Sequence, residues 1–200
     1  MNRLLVALAC GALVCFKVEA QTGPDRSAIS ALYARGLAGD AEAVVECIAA
    51  LEQVLATSPD DQLARVYLGS AYTLRSRDLS IGPRKLTTLR KGIALMDEAA
   101  TAAPQNARVQ LTRAVTINAF PAFLGRRKAA REQLEKLVAE VEKDPAKLSG
   151  TDRQLLYLNT GQAALSAGDR KRATELWQRG LMIEGDAKLT AEIKAALAQN

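Results

Sequence analysis

The chain has 200 residues, with 27 lysines and arginines against 22 aspartates and glutamates, and no histidine. Without histidine it has no Ser-His or Cys-His nucleophile system and lacks the commonest transition-metal ligand. A formal charge of only +5 argues against a dedicated nucleic-acid binder, and the low aromatic content of 4% favours closely packed helices over sheets.

The first segment has the pattern of an export signal. Arg3 precedes an apolar run from Leu4 to Phe16, and Val18-Glu19-Ala20 places small residues at the −3 and −1 positions. We expect a Sec-type signal peptide over residues 1–20, cleaved before Gln21, with one domain over 21–200 and a periplasmic or secreted location. A membrane anchor is the alternative, but the run is shorter than the roughly 20 residues that a spanning helix needs.

Cleavage at that point would leave Cys47 as the single cysteine, since Cys10 and Cys15 lie in the signal. An exported chain with one cysteine has no internal disulfide, so helix packing must supply its stability. Cys47 falls on the apolar face of a helix, where a small buried hydrophobe is the expected role. Cys10 lies inside the apolar run, which argues against a lipid-modification site.

Apolar periodicity and turn signals predict helices along almost the whole chain. Asp40, Asp60, Asp152 and Asp169 stand at predicted N-caps. Glycines mark the breaks at Gly39, Gly150, Gly168 and Gly185. The helices are expected near 25–38, 40–57, 60–76, 83–102, 105–119, 126–143, 150–167, 169–183 and 186–199.

Two blocks of this helical pattern resemble the tetratricopeptide repeat, a 34-residue helix–turn–helix unit. The first is Pro59 with Leu68-Gly69-x-x-Tyr72, and the second runs from Tyr157 through Gly161, Ala164 and Ala173 to Trp177. The resemblance implies an all-α, right-handed solenoid of antiparallel helix pairs. It also implies that small residues such as Gly69 and Gly161 mark close helix contacts.

The repeat can be followed over nearly all of the expected mature chain, with two insertions relative to the plain 34-residue repeat. Gly69 and Gly92 are 23 residues apart where the plain repeat has 12, which places an eleven-residue insertion within Arg75–Lys85. A second, shorter insertion lies at Ala119–Gly125. Both are expected to elongate the turn between the two helices of a unit, in the second and third repeats. A last helix carrying Leu189, Ile193 and Leu197 would cap the stack.

The resemblance implies that the first helix of each unit lines a concave groove. The alternative is that a terminal helix covers the groove and these positions belong to the core, because sequence alone cannot separate the two. An open groove would be apolar with a few polar groups and would suit an amphipathic or apolar segment. The candidate groove residues are Leu63, Val66, Ser70, Arg108, Leu111, Asn118, Leu158 and Gln162.

The two elongated turns form a second candidate surface, because successive turns of this kind lie along one edge of a solenoid. Arginine beside exposed aromatic side chains is typical of binding hot spots. The alternative is that the phenylalanines fold inward over helix ends while the charges are only solvated. The candidate partner-binding edge comprises Arg75, Arg77, Arg84, Lys85, Phe120, Phe123, Arg126 and Arg127.

No catalytic, cofactor-binding or metal-binding residue is predicted, since the chain has no nucleophile elbow, dinucleotide-binding turn or phosphate-binding loop. The sequence therefore predicts a non-catalytic protein-binding or assembly module of the cell envelope, with an unidentified protein or peptide partner and no nucleic acid. The alternative is an accessory factor held to an anionic envelope surface, either membrane headgroups or a polymer, by the basic residues of the candidate partner-binding edge. An enzyme is the third reading.

Overall fold

The structure is a computed structural model that describes residues 25–199, so the predicted signal peptide at 1–20 lies outside the described residues. Within 25–199 the fold is all-α, as predicted, and every helix begins and ends within two residues of its predicted bounds. Single turns of 3-10 helix lie at Ala122–Leu124 and Pro145–Lys147. The helices are α1 (Arg26–Leu37), α2 (Ala41–Thr57), α3 (Gln62–Asp78), α4 (Pro83–Ala102), α5 (Ala107–Asn118), α6 (Arg127–Lys143), α7 (Gly150–Ser166), α8 (Arg170–Leu181) and α9 (Ala187–Ala198).

Acidic side chains cap several helices because a carboxylate accepts the N–H groups that a first turn leaves unpaired. Asp40 caps α2 by accepting from the backbone N–H groups of Glu42 and Ala43. Asp169 caps α8 by accepting from the N–H of Arg172. These two predicted caps are confirmed.

The predicted caps at Asp60 and Asp152 are wrong by a few residues. The turn after Pro59 brings Asp61 to the start of α3, where its Oδ1 accepts from Ala64 N–H at 2.9 Å. At α7 the cap is Ser149, whose Oγ accepts from Asp152 N–H and donates to the Asp152 carboxylate. Asp152 is thus the reciprocal partner of the cap. Gly150 is the first residue of α7 rather than a break.

The helices pack in four antiparallel pairs followed by a single helix. Each helix packs against the next one along the chain, and the first helices of successive pairs, α1, α3, α5, α7 and finally α9, also contact one another. This arrangement is the stacking expected of a helix-pair repeat. As a consequence, the core runs along the stack as neighbouring clusters of apolar residues.

The last pair is closed by α9, as the apolar stripe of this helix predicted. Ile193 is fully buried, and Leu189 and Leu197 pack against the same cluster. Gln154 of α7 is also fully buried. Its Nε2 donates to the carbonyl of Ile183 and to Thr190 Oγ1, and its Oε1 accepts from the N–H of Asp186. This side chain therefore provides hydrogen-bond partners for backbone groups of the α8–α9 turn.

The insertion in the second repeat lengthens the helices more than the turn. Helix α3 continues to Asp78 and α4 begins at Pro83, so only Leu79–Gly82 connect them. The reason is local: no residue that breaks helices precedes Gly82-Pro83, and proline is favoured in a first turn. The third repeat differs, because its extra residues form the irregular turn predicted there, with one turn of 3-10 helix and Gly125 at a φ of 68°.

Candidate functional site

A pocket of about 350 Å³ lies between α1, α2 and α3 and reaches the start of α5. Its floor is apolar, and polar groups stand around its opening, so it resembles the mostly apolar concavities that bind ligands and peptide side chains. The apolar lining consists of Ile29, Leu51, Val54, Leu63 and Ala64. The remaining lining residues are Arg26, Ser27, Ser30, Tyr33, Tyr67 and Arg108.

Two tyrosines from successive first helices form one wall of the pocket. The rings of Tyr33 and Tyr67 meet edge to face, with centroids 5.1 Å apart and planes at 83°. The two residues are 34 positions apart, as are Ile29 and Leu63. They therefore occupy equivalent positions of the first two repeats. Sequence reasoning missed the pocket residues of α1, although this spacing is the signal that would have found them.

Hydrogen bonds behind the tyrosines tie three first helices together. Tyr33 Oη lies 2.7 Å from Ser70 Oγ, which lies 2.9 Å from Thr116 Oγ1. Thr116 donates its proton to the carbonyl of Thr112, so Ser70 must donate to Thr116 and Tyr33 to Ser70. Burial raises the pKa of Tyr33 to about 12. The phenol is therefore neutral and acts as a donor, which fixes the positions of α1, α3 and α5.

Two arginines stand at the pocket opening, and each already has a carboxylate partner. Arg26 contacts Asp61 at 2.6 Å, and Arg108 Nε lies 3.8 Å from Asp152. The guanidinium of Arg108 also lies 5.9 Å from the centroid of the Tyr67 ring, within the range of a cation–π contact. The opening is therefore close to electrically balanced, which suits an apolar occupant better than a charged one.

The structure separates the eight candidate groove residues into three environments. Val66, Ser70, Leu111 and Leu158 are buried in the interior, and Asn118 is half-buried. Leu63 and Arg108 line the pocket, while Gln162 is exposed on α7. Two residues of the predicted set, Leu63 and Arg108, therefore lie at the pocket.

The candidate edge residues also divide by their contacts. Phe120 is buried, whereas Phe123 is 85% exposed at the tip of its turn. Arg126 pairs with Asp97 at 3.4 Å, and Arg127 donates to the carbonyl of Phe120.

In the α3–α4 turn, two of the predicted basic residues stabilise the backbone. Arg77 donates to the carbonyl of Gly36, and Lys85 donates to the carbonyls of Arg77 and Leu79. Arg75 is half-buried and Arg84 is exposed. This turn also presents Ile81, which is 97% exposed and was not among the predicted residues.

Two features of the described residues concern possible chemistry, the grouping of metal-ligating side chains and the environment of Cys47. Among residues 25–199 no group of three or more histidine, cysteine, aspartate or glutamate side chains could hold a metal ion. Cys47 is buried, as predicted, and burial raises the pKa of its thiol to about 11. A neutral buried thiol is a poor nucleophile. Within the same range, no helix combines the length and apolar character needed to cross a membrane.

Comparison with known proteins supports the fold. The structure is similar to a crystal structure of a thermophilic TPR protein from Thermus thermophilus, with a TM-score of 0.61 and 20% sequence identity over 85% of this chain and 81% of that one. No protein-family model and no curated protein matches the chain. By fold, this chain is a tetratricopeptide-repeat-like protein, as the sequence resemblance implied.

Proposed function

We propose that the chain is a non-catalytic binding or assembly module of the cell envelope that recognises an apolar segment of a protein partner. The observation that carries the proposal is the pocket between α1, α2 and α3, which Leu63, Tyr67 and Arg108 help to line. Folds of stacked helix pairs offer concave surfaces that serve such binding. The fold by itself specifies no partner, so the proposed specificity rests on the pocket.

The pocket chemistry favours an apolar side chain as the occupant. The apolar floor would exclude water from such a side chain, and Tyr67 would add a flat ring surface. Arg26 and Arg108 are neutralised by Asp61 and Asp152, so an isolated carboxylate would have to compete with bonds already made. A segment with one or two large apolar side chains and polar flanks fits both conditions.

The test is site-specific photo-crosslinking from the pocket opening, using a photoreactive amino acid at Ser27 in an envelope extract. Ser27 lines the pocket and is exposed, so the label should leave the fold intact. The label should react with one partner segment that contains large apolar residues. Ser30→Trp, also at the opening, should fill the space and remove the crosslink while the melting temperature stays unchanged.

A matched label at Gln178, an exposed position on α8, is the control. If the partner reacts equally from Gln178, or still reacts from Ser27 in the Ser30→Trp variant, the pocket is not its binding site. A partner segment without apolar residues would also contradict the assignment.

The envelope location rests on the signal pattern at Val18-Glu19-Ala20. We expect the protein recovered from cells to begin at Gln21, with or without cyclisation of that residue to pyroglutamate. Intact-mass measurement checks this directly. A mass that still includes residues 1–20, or lipid attached at Cys10, would contradict the location and leave the pocket test unaffected.

A further inference from the structure

Two large apolar side chains project from neighbouring turns of the stack. Ile81, between α3 and α4, is 97% exposed, and Phe123, between α5 and α6, is 85% exposed. Both turns join the first helix of a pair to the second, so they lie along the same edge. Neither side chain lines the pocket between α1, α2 and α3.

The turn that carries Phe123 shares an apolar cluster and an ion pair with α4. Phe120 and Leu124 belong to the same apolar cluster as Leu89 and Ile93 of that helix. Ile81 stands just ahead of the helix, beyond Gly82 and the first-turn Pro83. The two apolar side chains therefore stand at turns that both adjoin α4, and we call residues 79–91 and 120–131 the basic edge.

The charge around these tips is strongly asymmetric. Residues 79–91 and 120–131 contain eight lysines and arginines and no aspartate or glutamate. The chain from Gln21 onward has 25 basic and 21 acidic side chains in all, so the rest of it carries 17 basic against 21 acidic. Positive charge is therefore concentrated in the part of the chain that carries the apolar tips.

Several cations of the basic edge are available to an external anion. Arg84, Arg90 and Lys128 are exposed, and none of them has a hydrogen bond or ion pair with another residue of 25–199. Lys85 and Arg127 bind backbone carbonyls, which leaves their charge in place. Two cations of the edge are already paired, Arg126 with Asp97 and Lys91 with Glu52.

From this arrangement we infer that the basic edge binds an anionic membrane surface, with Ile81 and Phe123 entering the boundary between headgroups and acyl chains. A protein partner would need its own pockets to cover two separate projecting side chains. A lipid surface accepts such side chains without prior shape, and anionic headgroups match a field of arginines and lysines. This inference goes beyond the proposed function and does not depend on the pocket.

The test is vesicle co-sedimentation of the chain beginning at Gln21, because the apolar run before it would itself bind lipid. This chain contains every helix described. We expect binding to mixed phosphatidylglycerol–phosphatidylcholine vesicles and none to phosphatidylcholine alone. Raising the ionic strength from about 0.01 M to 0.15 M, which shortens the Debye length from about 30 to 8 Å, should weaken binding steeply.

Variants of the exposed apolar side chains and of the unpaired cations each have a matched control on the opposite edge of the stack. Ile81→Ser with Phe123→Ser should reduce partitioning by about tenfold or more, and Arg84→Gln with Lys128→Gln by about fivefold per charge. Met182, 87% exposed at the α8–α9 turn, provides the apolar control, and Lys143 and Lys188, exposed at ends of α6 and α9, provide the charge control. Met182→Ser and Lys143→Gln with Lys188→Gln should leave binding unchanged.

Insertion of the Phe123 side chain into the bilayer can be measured separately from binding. Phe123→Trp should show blue-shifted emission on vesicles and quenching by lipids brominated in the acyl chains, whereas Met182→Trp should show neither, and buried Trp177 supplies a constant background. Binding that survives loss of Ile81 and Phe123, equal loss in the control variants, or absence of acyl-chain quenching would each overturn the inference. So would binding to a soluble acidic polypeptide with no binding to anionic vesicles.

Discussion

Gly69 and Gly92 bring the backbones of α3 and α4 into direct contact. A Cβ atom on Gly69 would lie 2.6 Å from the Gly92 carbonyl oxygen, and one on Gly92 would lie 2.5 Å from the Gly69 carbonyl oxygen. Neither carbonyl can move without disturbing its own helix. The contact therefore explains why both positions of the repeat carry glycine, and it supports the register inferred across the 23-residue separation.

This contact predicts that Gly69→Leu lowers the free energy of unfolding by at least about 1–3 kcal/mol, because the added side chain also meets Met96 Cγ at 2.6 Å. Denaturant unfolding followed by circular dichroism measures the loss. Ala94→Leu, at an exposed position of α4, is the control and should stay near the parent stability. A Gly69→Leu protein as stable as the parent would mean that the helices do not meet there.

Trp177 should be the single largest contributor to the last pair. It is 1% exposed, lies over Gly161, and donates from Nε1 to the carbonyl of Leu158 at 3.1 Å. Trp177→Ala should cost about 3–5 kcal/mol, and Trp177→Phe should cost less because the ring still fills much of the space. Thermal unfolding with Gln178→Ala as the neighbouring exposed control checks the ranking. Equal effects of all three changes would contradict it.

Sequence reasoning located the helices well because their signals are local. Caps such as Asp40, turn glycines and apolar spacing act within a few residues, so they can be read without knowledge of the fold. The errors at Asp60 and Asp152 are of the same local kind, since a neighbouring Asp61 or Ser149 was an equally good cap. That Gly69 and Gly161 each lie at a close contact between the two helices of their own pair was predicted from the repeat resemblance.

Burial within the candidate surfaces could not be predicted in the same way. Val66 is fully buried among residues of α4 and α5, while Leu63, three residues earlier on the same helix, lines the pocket. Whether a residue of a first helix faces a groove or the next repeat depends on how neighbouring helices pack. The same reasoning applies to Phe120 and Phe123, whose turn rests on α4.

These two phenylalanines give a sharp test of the third repeat. Phe120 is 7% exposed among Val66, Met96 and Ile117, whereas Phe123 is 85% exposed. Phe120→Ala should lower stability by about 3–5 kcal/mol, and Phe123→Ala should change it by no more than about 0.5 kcal/mol. Parallel urea titrations of the two variants measure the difference. Similar losses from both would mean that the turn folds over the helix ends differently.

The last prediction concerns the pH dependence that Tyr33 gives to folding. Burial raises its pKa from the ordinary 10.0 to about 12, so the folded chain favours the neutral phenol. The sign follows from linkage: this contribution is fully present below pH 10 and is lost as the pH rises through 12, because the unfolded chain loses the proton first.

Tyr33→Phe removes the titrating group and keeps the ring against Tyr67, and Ser70 retains its bond to Thr116. Between about pH 9 and about pH 11 the parent should lose about 1–2 kcal/mol more stability than the variant, measured by urea unfolding at each pH. Ultraviolet titration should show one tyrosinate fewer at high pH in the variant. Identical pH profiles for the two proteins would mean that the hydroxyl is not buried between α1, α3 and α5, and that Tyr33 does not form this wall of the pocket.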